Sequence, residues 1–282
     1  MAMNRSIELN DGRAMDRVGF GTFRIPDDEV CGLVSEALSC GYRLIDTASY
    51  YRNELGIGRA IRNSAIPRGE LFIATKVWMD DLGYDRTVQS VHKSLEKLGL
   101  DYLDLVLIHW PRPLAIESWK ALEELRNEGL VRSIGVSNYN VRLLRELLDV
   151  ADVTPVLNQV ERHPNLQQRD ICEFCREHGI LVQAWSPIAK GRVTDFTALR
   201  SIGRSHGKSP AQVTLRWQIQ TGVAVIPKTT NPDRMRENLD VFDFELSPDE
   251  MESVAALDAG ERLGFDPEYI YAHGYRPGDT PK

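Results

Sequence analysis

Residues 103–109 read LDLVLIH, a short apolar run that ends at a histidine. An apolar run followed closely by a polar or aromatic residue recurs eight times along the chain. Such near-continuous apolar runs are typical of strands buried on both faces of a parallel sheet. The eight runs lie at Arg17–Gly19, Arg43–Ile45, Leu71–Thr75, Leu103–Ile108, Ser133–Val136, Val156–Leu157, Ile180–Ala184 and Val223–Ile226.

Amphipathic helical stripes separate these runs. Val30–Cys40 and Thr87–Leu98, for example, each place their apolar residues on one helical face. Alternating strands and helices imply parallel pairing through right-handed crossovers. Eight such units predict an α/β protein with a closed (β/α)₈ TIM barrel, in which residues 1–282 form a single domain.

Two segments flank the predicted barrel. Ile7–Met15 contains the dipeptide Asp11-Gly12, which predicts a β-hairpin with a tight turn that plugs the bottom of the barrel. At the other end, residues 258–282 form a tail without helical periodicity. Because large rings rarely stay exposed together, we expect this tail to cover the active site, with Tyr269 near the closure. Its aromatic residues are Phe265, Tyr269, Tyr271 and Tyr275.

Composition excludes several classes of function. The chain has 282 residues, of which 42% are hydrophobic, and a formal net charge of −7. The acidic balance argues against a nucleic-acid partner. No apolar run is long enough to span a membrane, and Met1–Asn10 lack the apolar stretch that a signal peptide contains. We therefore expect a cytoplasmic protein without a membrane partner.

Four cysteines are too few for a disulfide scaffold. Cys172 and Cys175 form one C-x-x-C, but no second cysteine pair completes a zinc site. We interpret the two as small residues on one helix face, with metal or redox use as the less favoured alternative, and expect no metal.

The residues that follow the strands are the candidate functional groups. In barrels of this type, active sites lie at the C-terminal ends of the strands. A ring of acidic, basic, amide and aromatic side chains there predicts a catalytic or binding site. Its members are Thr22, Asp46, Lys76, His109, Ser137, Asn138, Gln159, Trp185, Ser186 and Lys228.

Asp46 and Lys76 follow consecutive strands, so we expect them to pair at the barrel mouth. Such a pair can be purely structural. However, Tyr50 and Tyr51 come shortly after Asp46, and an ammonium near a tyrosine favours its phenolate and lowers its pKa. Either tyrosine can then exchange a proton, while His109 orients a carbonyl group.

A second candidate site follows the eighth strand. The chain has neither a P-loop nor a glycine fingerprint of the Rossmann type. Instead, Lys228 and Thr229 precede a short helix near Asn231, whose free N–H groups would attract an anion. Arg234 and Arg236 add positive charge. The alternative is a surface helix with two solvated arginines.

Several motifs together resemble the aldo-keto reductases over essentially the full length of the chain. No single motif is specific, but their common order along the chain is. The matching stretches are 46–54 (DTASYYRNE), 75–78 (TKVW), 107–111 (LIHWP), 135–138 (GVSN), 158–161 (NQVE), 185–187 (WSP) and 226–229 (IPKT), followed by Arg234, Glu237 and Asn238.

The resemblance implies a monomeric (β/α)₈ barrel that binds NADPH or NADP⁺ and transfers hydride to a small-molecule carbonyl substrate. It selects Tyr51 over Tyr50 as general acid and implies a catalytic tetrad of Asp46, Tyr51, Lys76 and His109. The implied cofactor-binding residues are Thr22, Ser137, Asn138, Gln159, Trp185, Ser186, Lys228, Thr229, Arg234, Glu237 and Asn238. The implied substrate pocket is lined by Phe23, Trp78 and Trp110.

Details of the resemblance favour its bacterial branch, which contains 2,5-diketo-D-gluconate and methylglyoxal reductases. Trp185 stands where relatives commonly have Tyr or Phe, Phe23 where some have Trp, and the segment 112–117 is short. We therefore expect aldehydes and ketones as substrates, either small keto-aldehydes, keto-sugars or aromatic aldehydes. NADPH is preferred over NADH because Lys228 and Arg234 can meet a 2′-phosphate.

Two other functions stay open at this point. Some relatives keep the cofactor site but serve mainly as redox-sensing subunits of larger complexes. Alternatively, Lys76 could act as a Schiff-base nucleophile on the same barrel. Against this, Asp46 beside Lys76 would hold the amine protonated.

Overall fold

The computed structural model describes residues 4–275. Its main sheet contains eight parallel strands that follow one another in chain order. Hydrogen bonds from Gly19 N to Val225 O (2.8 Å) and from Val225 N to Arg17 O (2.7 Å) join the last strand to the first. The sheet therefore closes on itself, which confirms the predicted barrel. The strands are β3 (Phe20–Gly21), β4 (Leu44–Asp46), β5 (Phe72–Val77), β6 (Leu103–Ile108), β7 (Val131–Ser137), β8 (Leu157–Glu161), β9 (Leu181–Trp185) and β10 (Ala224–Val225).

Most of the helices cover the outside of the barrel and pack their apolar faces on the strands in one large core, whereas the helices at 197–206 and 248–255 pack with part of 210–220 in a separate cluster. The predicted helices at 30–40 and 87–98 and the short helix near Asn231 are present, whereas α2, α7 and α11 were not predicted. Glycines in the left-handed conformation end several of them, including Gly41 (φ 106°) and Gly99 (φ 67°). The helices are α1 (Asp27–Cys40), α2 (Glu54–Asn63), α3 (Tyr84–Leu98), α4 (Ala115–Asn127), α5 (Val141–Leu148), α6 (Arg169–Glu177), α7 (Thr197–His206), α8 (Pro210–Gln220), α9 (Pro232–Leu239), α10 (Pro248–Ala255) and α11 (Pro267–His273). None of the helices described is long and apolar enough to cross a membrane.

An antiparallel hairpin closes the bottom of the barrel, as expected. It consists of β1 (Ser6–Glu8) and β2 (Ala14–Asp16), and its Leu9 and Met15 are buried among the inward-facing residues of the strands. The predicted tight turn is confirmed within the loop of residues 9–13, where Gly12 N donates to Leu9 O (3.0 Å), Leu9 N donates to Arg13 O (2.8 Å) and Gly12 has a left-handed backbone (φ 80°). Asp11 fixes this loop by accepting hydrogen bonds from Arg13 N (3.1 Å) and from Ser133 Oγ of β7 (2.7 Å).

The C-terminal tail lies over the other end of the barrel. The expectation that it lacks helical structure was wrong, since Asp266 caps the short helix α11 by accepting hydrogen bonds from the first-turn N–H groups. Arg112, in the loop after β6, donates to Ile270 O (3.0 Å) and Tyr271 O (2.9 Å) at the end of α11. Residues 276–282, the last part of the predicted tail, lie outside the described residues.

Candidate active site

A buried ion pair lies at the C-terminal ends of two adjacent strands. Lys76 Nζ of β5 is 2.6 Å from Asp46 Oδ1 of β4 and donates a second hydrogen bond to Thr47 O at 2.8 Å. The two side chains are 0% and 2% exposed. The expected pairing of Asp46 and Lys76 is therefore present, and it is shielded from solvent.

The structure separates the two candidate tyrosines. Both lie on a one-turn 3₁₀ helix, Ser49–Tyr51. The ring centroid of Tyr51 is 5.1 Å from Lys76 Nζ and 5.5 Å from the His109 ring. The Tyr50 ring instead stacks on Trp78, with centroids 3.8 Å apart. Only Tyr51 therefore joins the cluster of Asp46, Lys76 and His109.

Burial dominates the proton affinities of this cluster. Burial and the negative charge of Asp46 raise the pKa of Tyr51 well above its usual value, so the predicted lowering by Lys76 was wrong. The ammonium of Lys76 is balanced by Asp46 at close range, and burial lowers its own pKa. Burial, and secondarily Lys76, lower the pKa of His109 well below its usual value. In this structure Tyr51 and His109 are therefore both neutral near pH 7.

Amide side chains surround the ion pair on its other side. Gln159 Nε2 donates to Asp46 Oδ2 (2.8 Å) and to Gln183 Oε1 (2.7 Å). Because both protons of this nitrogen are used, Gln159 Oε1 remains as an acceptor. Ser137 Oγ donates to Gln159 O, and Asn138 Nδ2 donates to His109 O. Our sequence reasoning missed Gln183, although its place near the end of a buried strand was a usable signal.

Two further residues that sequence reasoning left without a role hold the loop that carries Tyr51. Asn53 Oδ1 accepts from Thr47 Oγ1 (2.8 Å), and Asn53 Nδ2 donates to Thr22 O (3.0 Å). Glu54 accepts from Thr75 Oγ1 at 2.8 Å. Thr22, predicted to bind the cofactor, is fully buried, and its hydroxyl donates to Asp46 O. These contacts fix the position of Tyr51 relative to Lys76.

Aromatic rings surround the opening above the cluster. Phe23 is 45% exposed and lies 5.0 Å from the Tyr51 ring, while Trp78 lies 5.1 Å from the His109 ring. Trp110, by contrast, is buried. The tail covers this opening with Tyr275, whose ring centroid lies 6.0 Å from that of Trp78. Tyr269, near which the closure was expected, is exposed and stacks on His273, with ring centroids 4.6 Å apart.

Trp185 follows Ala184 at the end of β9 and is half-buried. Its Nε1 donates to Asn138 Oδ1 at 2.8 Å, which fixes the orientation of the indole. Ser186, the next residue, has a left-handed backbone (φ 50°) and turns the chain away from the strand. The indole and the amides of Asn138 and Gln159 thus lie on adjacent strand ends.

The region after β10 differs in part from the prediction. Lys228 and Arg234 are exposed, with no side-chain partner among residues 4–275. The expected free N–H groups are not present, because Asn231 Oδ1 accepts from Asp233 N and Arg234 N. Arg236 is also not free, since it pairs with Glu36 at 2.6 Å.

Three other residues of this region that the resemblance implies as cofactor-binding make internal contacts. Thr229 Oγ1 accepts from Asn231 N at 3.1 Å, and Glu237 accepts from the Ser209 hydroxyl. Asn238 is buried beside the Tyr42 hydroxyl. Lys228 and Arg234 therefore remain as the cations available to an anion here.

The C-x-x-C pair has no feature of a reactive site. Cys172 and Cys175 are free thiols on α6, and burial raises the pKa of both. A raised pKa disfavours the reactive thiolate. Within residues 4–275, no group of His, Cys, Asp and Glu side chains is arranged to hold a metal ion.

The fold and the site define a (β/α)₈-barrel enzyme with an acid–base cluster at its mouth. Residues 17–259 match the model of the Aldo/keto reductase family. The chain is 45% identical to methylglyoxal reductase DkgA of Escherichia coli (strain K12) over 95% of this chain and 98% of that protein. It is also 45% identical to glyoxal reductase of Bacillus subtilis (strain 168), over 95% and 98%.

Solved structures agree with these relatives. The crystal structure of a Gox0644 mutant in complex with NADPH has a TM-score of 0.90 and 42% identity, over 94% of this chain and 98% of that one. The chain belongs to the aldo/keto reductase family.

Proposed function

We propose that this protein is an NADPH-dependent reductase of small aldehydes and ketones, acting as a cytoplasmic monomer with one barrel domain. One observation carries the proposal. The neutral Tyr51 lies beside the buried pair of Lys76 and Asp46 and next to a neutral His109. This arrangement places a proton donor and a carbonyl-orienting group at the same end of the barrel.

Tyr51 acts as the general acid. Its raised pKa keeps the hydroxyl protonated at physiological pH, so it can donate a proton to the oxygen of a reacting carbonyl. The ammonium of Lys76 stabilises the phenolate that this transfer produces, and Asp46 holds Lys76 in place. His109, kept neutral by burial, orients the carbonyl oxygen. The Nδ1 atom of His109 is buried and has no hydrogen-bond partner among residues 4–275.

The side chains at the barrel mouth fit a nicotinamide dinucleotide, which supplies hydride when bound. The free acceptor Gln159 Oε1 suits the N–H donors of a carboxamide, and Ser137 and Asn138 hold the adjacent strand end in place beside it. The half-buried indole of Trp185 offers a stacking surface beside these groups. Thr22 and Ser186 contribute to this end of the site through backbone contacts and backbone conformation. The Thr22 hydroxyl donates to Asp46 O, and the left-handed Ser186 turns the chain after β9.

The phosphate end favours NADPH over NADH. Lys228 and Arg234 are exposed and free to bind a 2′-phosphate, which NADH lacks. Thr229, Glu237 and Asn238 support this end through the contacts of the loop and of α9.

The opening above Tyr51 suits small substrates. Phe23 and Trp78 line it and Tyr275 narrows it, so a compact keto-aldehyde fits more readily than a bulky one. We assign Trp110, the buried residue next to His109, to the support of this pocket and not to its exposed lining. The chain is similar to proteins named methylglyoxal reductase and glyoxal reductase, and these names also support small keto-aldehydes as the substrate class.

The arrangement argues against a Schiff-base reaction at Lys76. The side chain of Lys76 is 0% exposed, and its Nζ is held by Asp46 and Thr47. A carbonyl carbon therefore cannot reach this nitrogen without rupture of the ion pair.

The test is the oxidation of NADPH, followed by its near-ultraviolet absorbance, with methylglyoxal, a keto-gluconate and an aromatic aldehyde. Parallel reactions contain NADH. We expect oxidation of NADPH that is fastest with the small keto-aldehyde and slower with NADH. Tight binding of NADPH without any oxidation would instead indicate a redox-sensing subunit.

A further inference from the structure

Glu161 is a fully buried carboxylate at the end of β8 that the reaction described above does not use. It binds the C-terminal tail. Leu263 N donates to Glu161 Oε1 at 2.6 Å, and Gly264 N donates to Glu161 Oε2 at 3.0 Å. Each oxygen thus accepts one of two successive backbone N–H groups. Hydrogen bonds to a buried ionised acceptor are among the stronger ones in proteins.

Other contacts extend this attachment along residues 258–264, which we call the tail strap. Asn165 O, in the loop after β8, accepts from Ala259 N (3.1 Å) and Glu261 N (3.0 Å). Lys190, in the loop after β9, donates to Leu263 O at 3.2 Å. The tail strap therefore bridges the loops that follow two neighbouring barrel strands.

Two further polar side chains lie close to the Glu161 carboxylate. His163 Nε2 lies 3.1 Å from Glu161 Oε1, and Arg262 Nη1 lies 3.9 Å from Oε2. Together with the two backbone N–H groups, the imidazole of His163 and the guanidinium of Arg262 offset the removal of the carboxylate from water.

Gly264 provides an independent observation at the same place. A Cβ on Gly264 would lie 2.4 Å from Trp185 Cη2 and 3.0 Å from Glu161 Oε2. The backbone of the tail strap therefore touches both the carboxylate and the indole, and a side chain cannot be accommodated without movement. The tail strap and Trp185 pack as one unit.

We propose that Glu161 is a positioning residue that fastens the tail strap to the barrel and thereby holds Trp185 as the wall of the cofactor site. Where it concerns the cofactor, this inference rests on the proposed function. It gives Glu161 a role in how long the nicotinamide cofactor stays bound, and none in the proton transfer by Tyr51.

The test combines two variants with one control. Glu161→Gln replaces one acceptor oxygen with a donor nitrogen opposite a backbone N–H. Gly264→Ala pushes the tail strap away from Trp185 without a change in the barrel interior. Glu268→Gln is the matched control, because Glu268 lies in the same tail but binds Arg142 (2.7 Å) and Asn140 instead.

The first readout is hydrogen–deuterium exchange of residues 259–266 in the cofactor-free enzyme. The second is the dissociation rate of NADPH, followed by its fluorescence, and thermal unfolding checks that each variant is folded. We expect exchange and dissociation to accelerate about tenfold in Glu161→Gln and Gly264→Ala, since both loosen a local structure held by few bonds. Glu268→Gln should match the wild type in both.

Exchange at the wild-type rate in Glu161→Gln would overturn the proposal, as would wild-type dissociation of NADPH in both variants. Failure of the wild-type enzyme to bind NADPH would refute the proposed function. The exchange comparison, made without cofactor, would still decide whether Glu161 fastens the tail strap.

Discussion

Arg234→Ala tests the proposed basis of cofactor choice. Arg234 and Arg236 lie on the same exposed helix, but only Arg236 is engaged, by Glu36 at 2.6 Å and Asp233 at 3.3 Å. Removal of Arg234 should therefore remove a phosphate contact, whereas Arg236→Ala removes the same charge without one. The two variants form a matched pair.

The expected size of the effect follows from the exposure of Arg234. A hydrogen bond to a charged group contributes about 1.5–3 kcal/mol, equivalent to about 10- to 150-fold in Kd. Because the guanidinium is exposed and screened by salt, we expect the lower end, about tenfold, at moderate ionic strength. The Kd of NADH should change less than about twofold, because NADH lacks the 2′-phosphate.

The assay is titration of each variant with NADPH and with NADH, followed by the quenching of protein fluorescence. Arg236→Ala should leave both Kd values near those of the wild type. Equal weakening of NADPH and NADH in Arg234→Ala would refute the assignment, as would equal effects of Arg234→Ala and Arg236→Ala on NADPH.

Three further predictions concern the buried cluster. Lys76→Met should lower the free energy of unfolding by about 3–5 kcal/mol in urea titrations, because it leaves Asp46 buried without its partner. The double variant Lys76→Met, Asp46→Leu should recover part of this loss; an additive loss would contradict the pairing. The pKa of His109 is lowered in the folded state, so below pH about 6.5 the unfolded chain binds more protons than the folded chain. The free energy of unfolding should therefore decrease by up to about 1.4 kcal/mol for each pH unit by which the pH is lowered in this range. His109→Gln should flatten this decline in unfolding experiments at pH 5 and 7, and an unchanged slope would exclude His109 as its source. Because the pKa of Tyr51 is raised, Tyr51 should stay protonated up to pH about 10, and the rate of carbonyl reduction should not decline through its deprotonation below that pH. Loss of the Tyr51 proton near pH about 8 in a spectroscopic titration would contradict this prediction.

The sequence was sufficient to predict the barrel and the location of its site. Strands such as β6 are buried on both faces, so their apolar runs are distinct and their polar ends stand out. Neighbouring strands in chain order then place Asp46 beside Lys76. The choice of Tyr51 over Tyr50 depended on the resemblance, and the structure shows the physical difference: Tyr50 stacks on Trp78.

Helix α2 was not predicted because it contains Gly56 and Gly58, which weaken helical propensity. The structure shows why glycine stands there. A Cβ on Gly56 would lie 2.4 Å from Val30 Cγ1, and one on Gly58 would lie 2.4 Å from Leu98 O. Close packing around α2 thus requires glycine at these two positions, and glycine lowers the helical propensity from which α2 could have been predicted.

The pKa of Tyr51 and the path of the tail depend on contacts between distant parts of the chain. The sequence predicts a lysine near Tyr51. It does not predict how far Asp46 balances the charge of that lysine, or how deeply Tyr51 is buried. Similarly, the tail follows individual hydrogen bonds to Glu161 and Arg112, which no local periodicity reports.

The most direct test of the central claim is the turnover of methylglyoxal with NADPH by the wild type, Tyr51→Phe and Tyr50→Phe. Loss of a positioned general acid typically costs about 10²–10⁴-fold. We predict a loss of this size in kcat for Tyr51→Phe, and a change within a few-fold for Tyr50→Phe, whose ring packs on Trp78 and Tyr275 and which Phe can replace there. Near-full turnover by Tyr51→Phe, with activity abolished in Tyr50→Phe, would contradict the account.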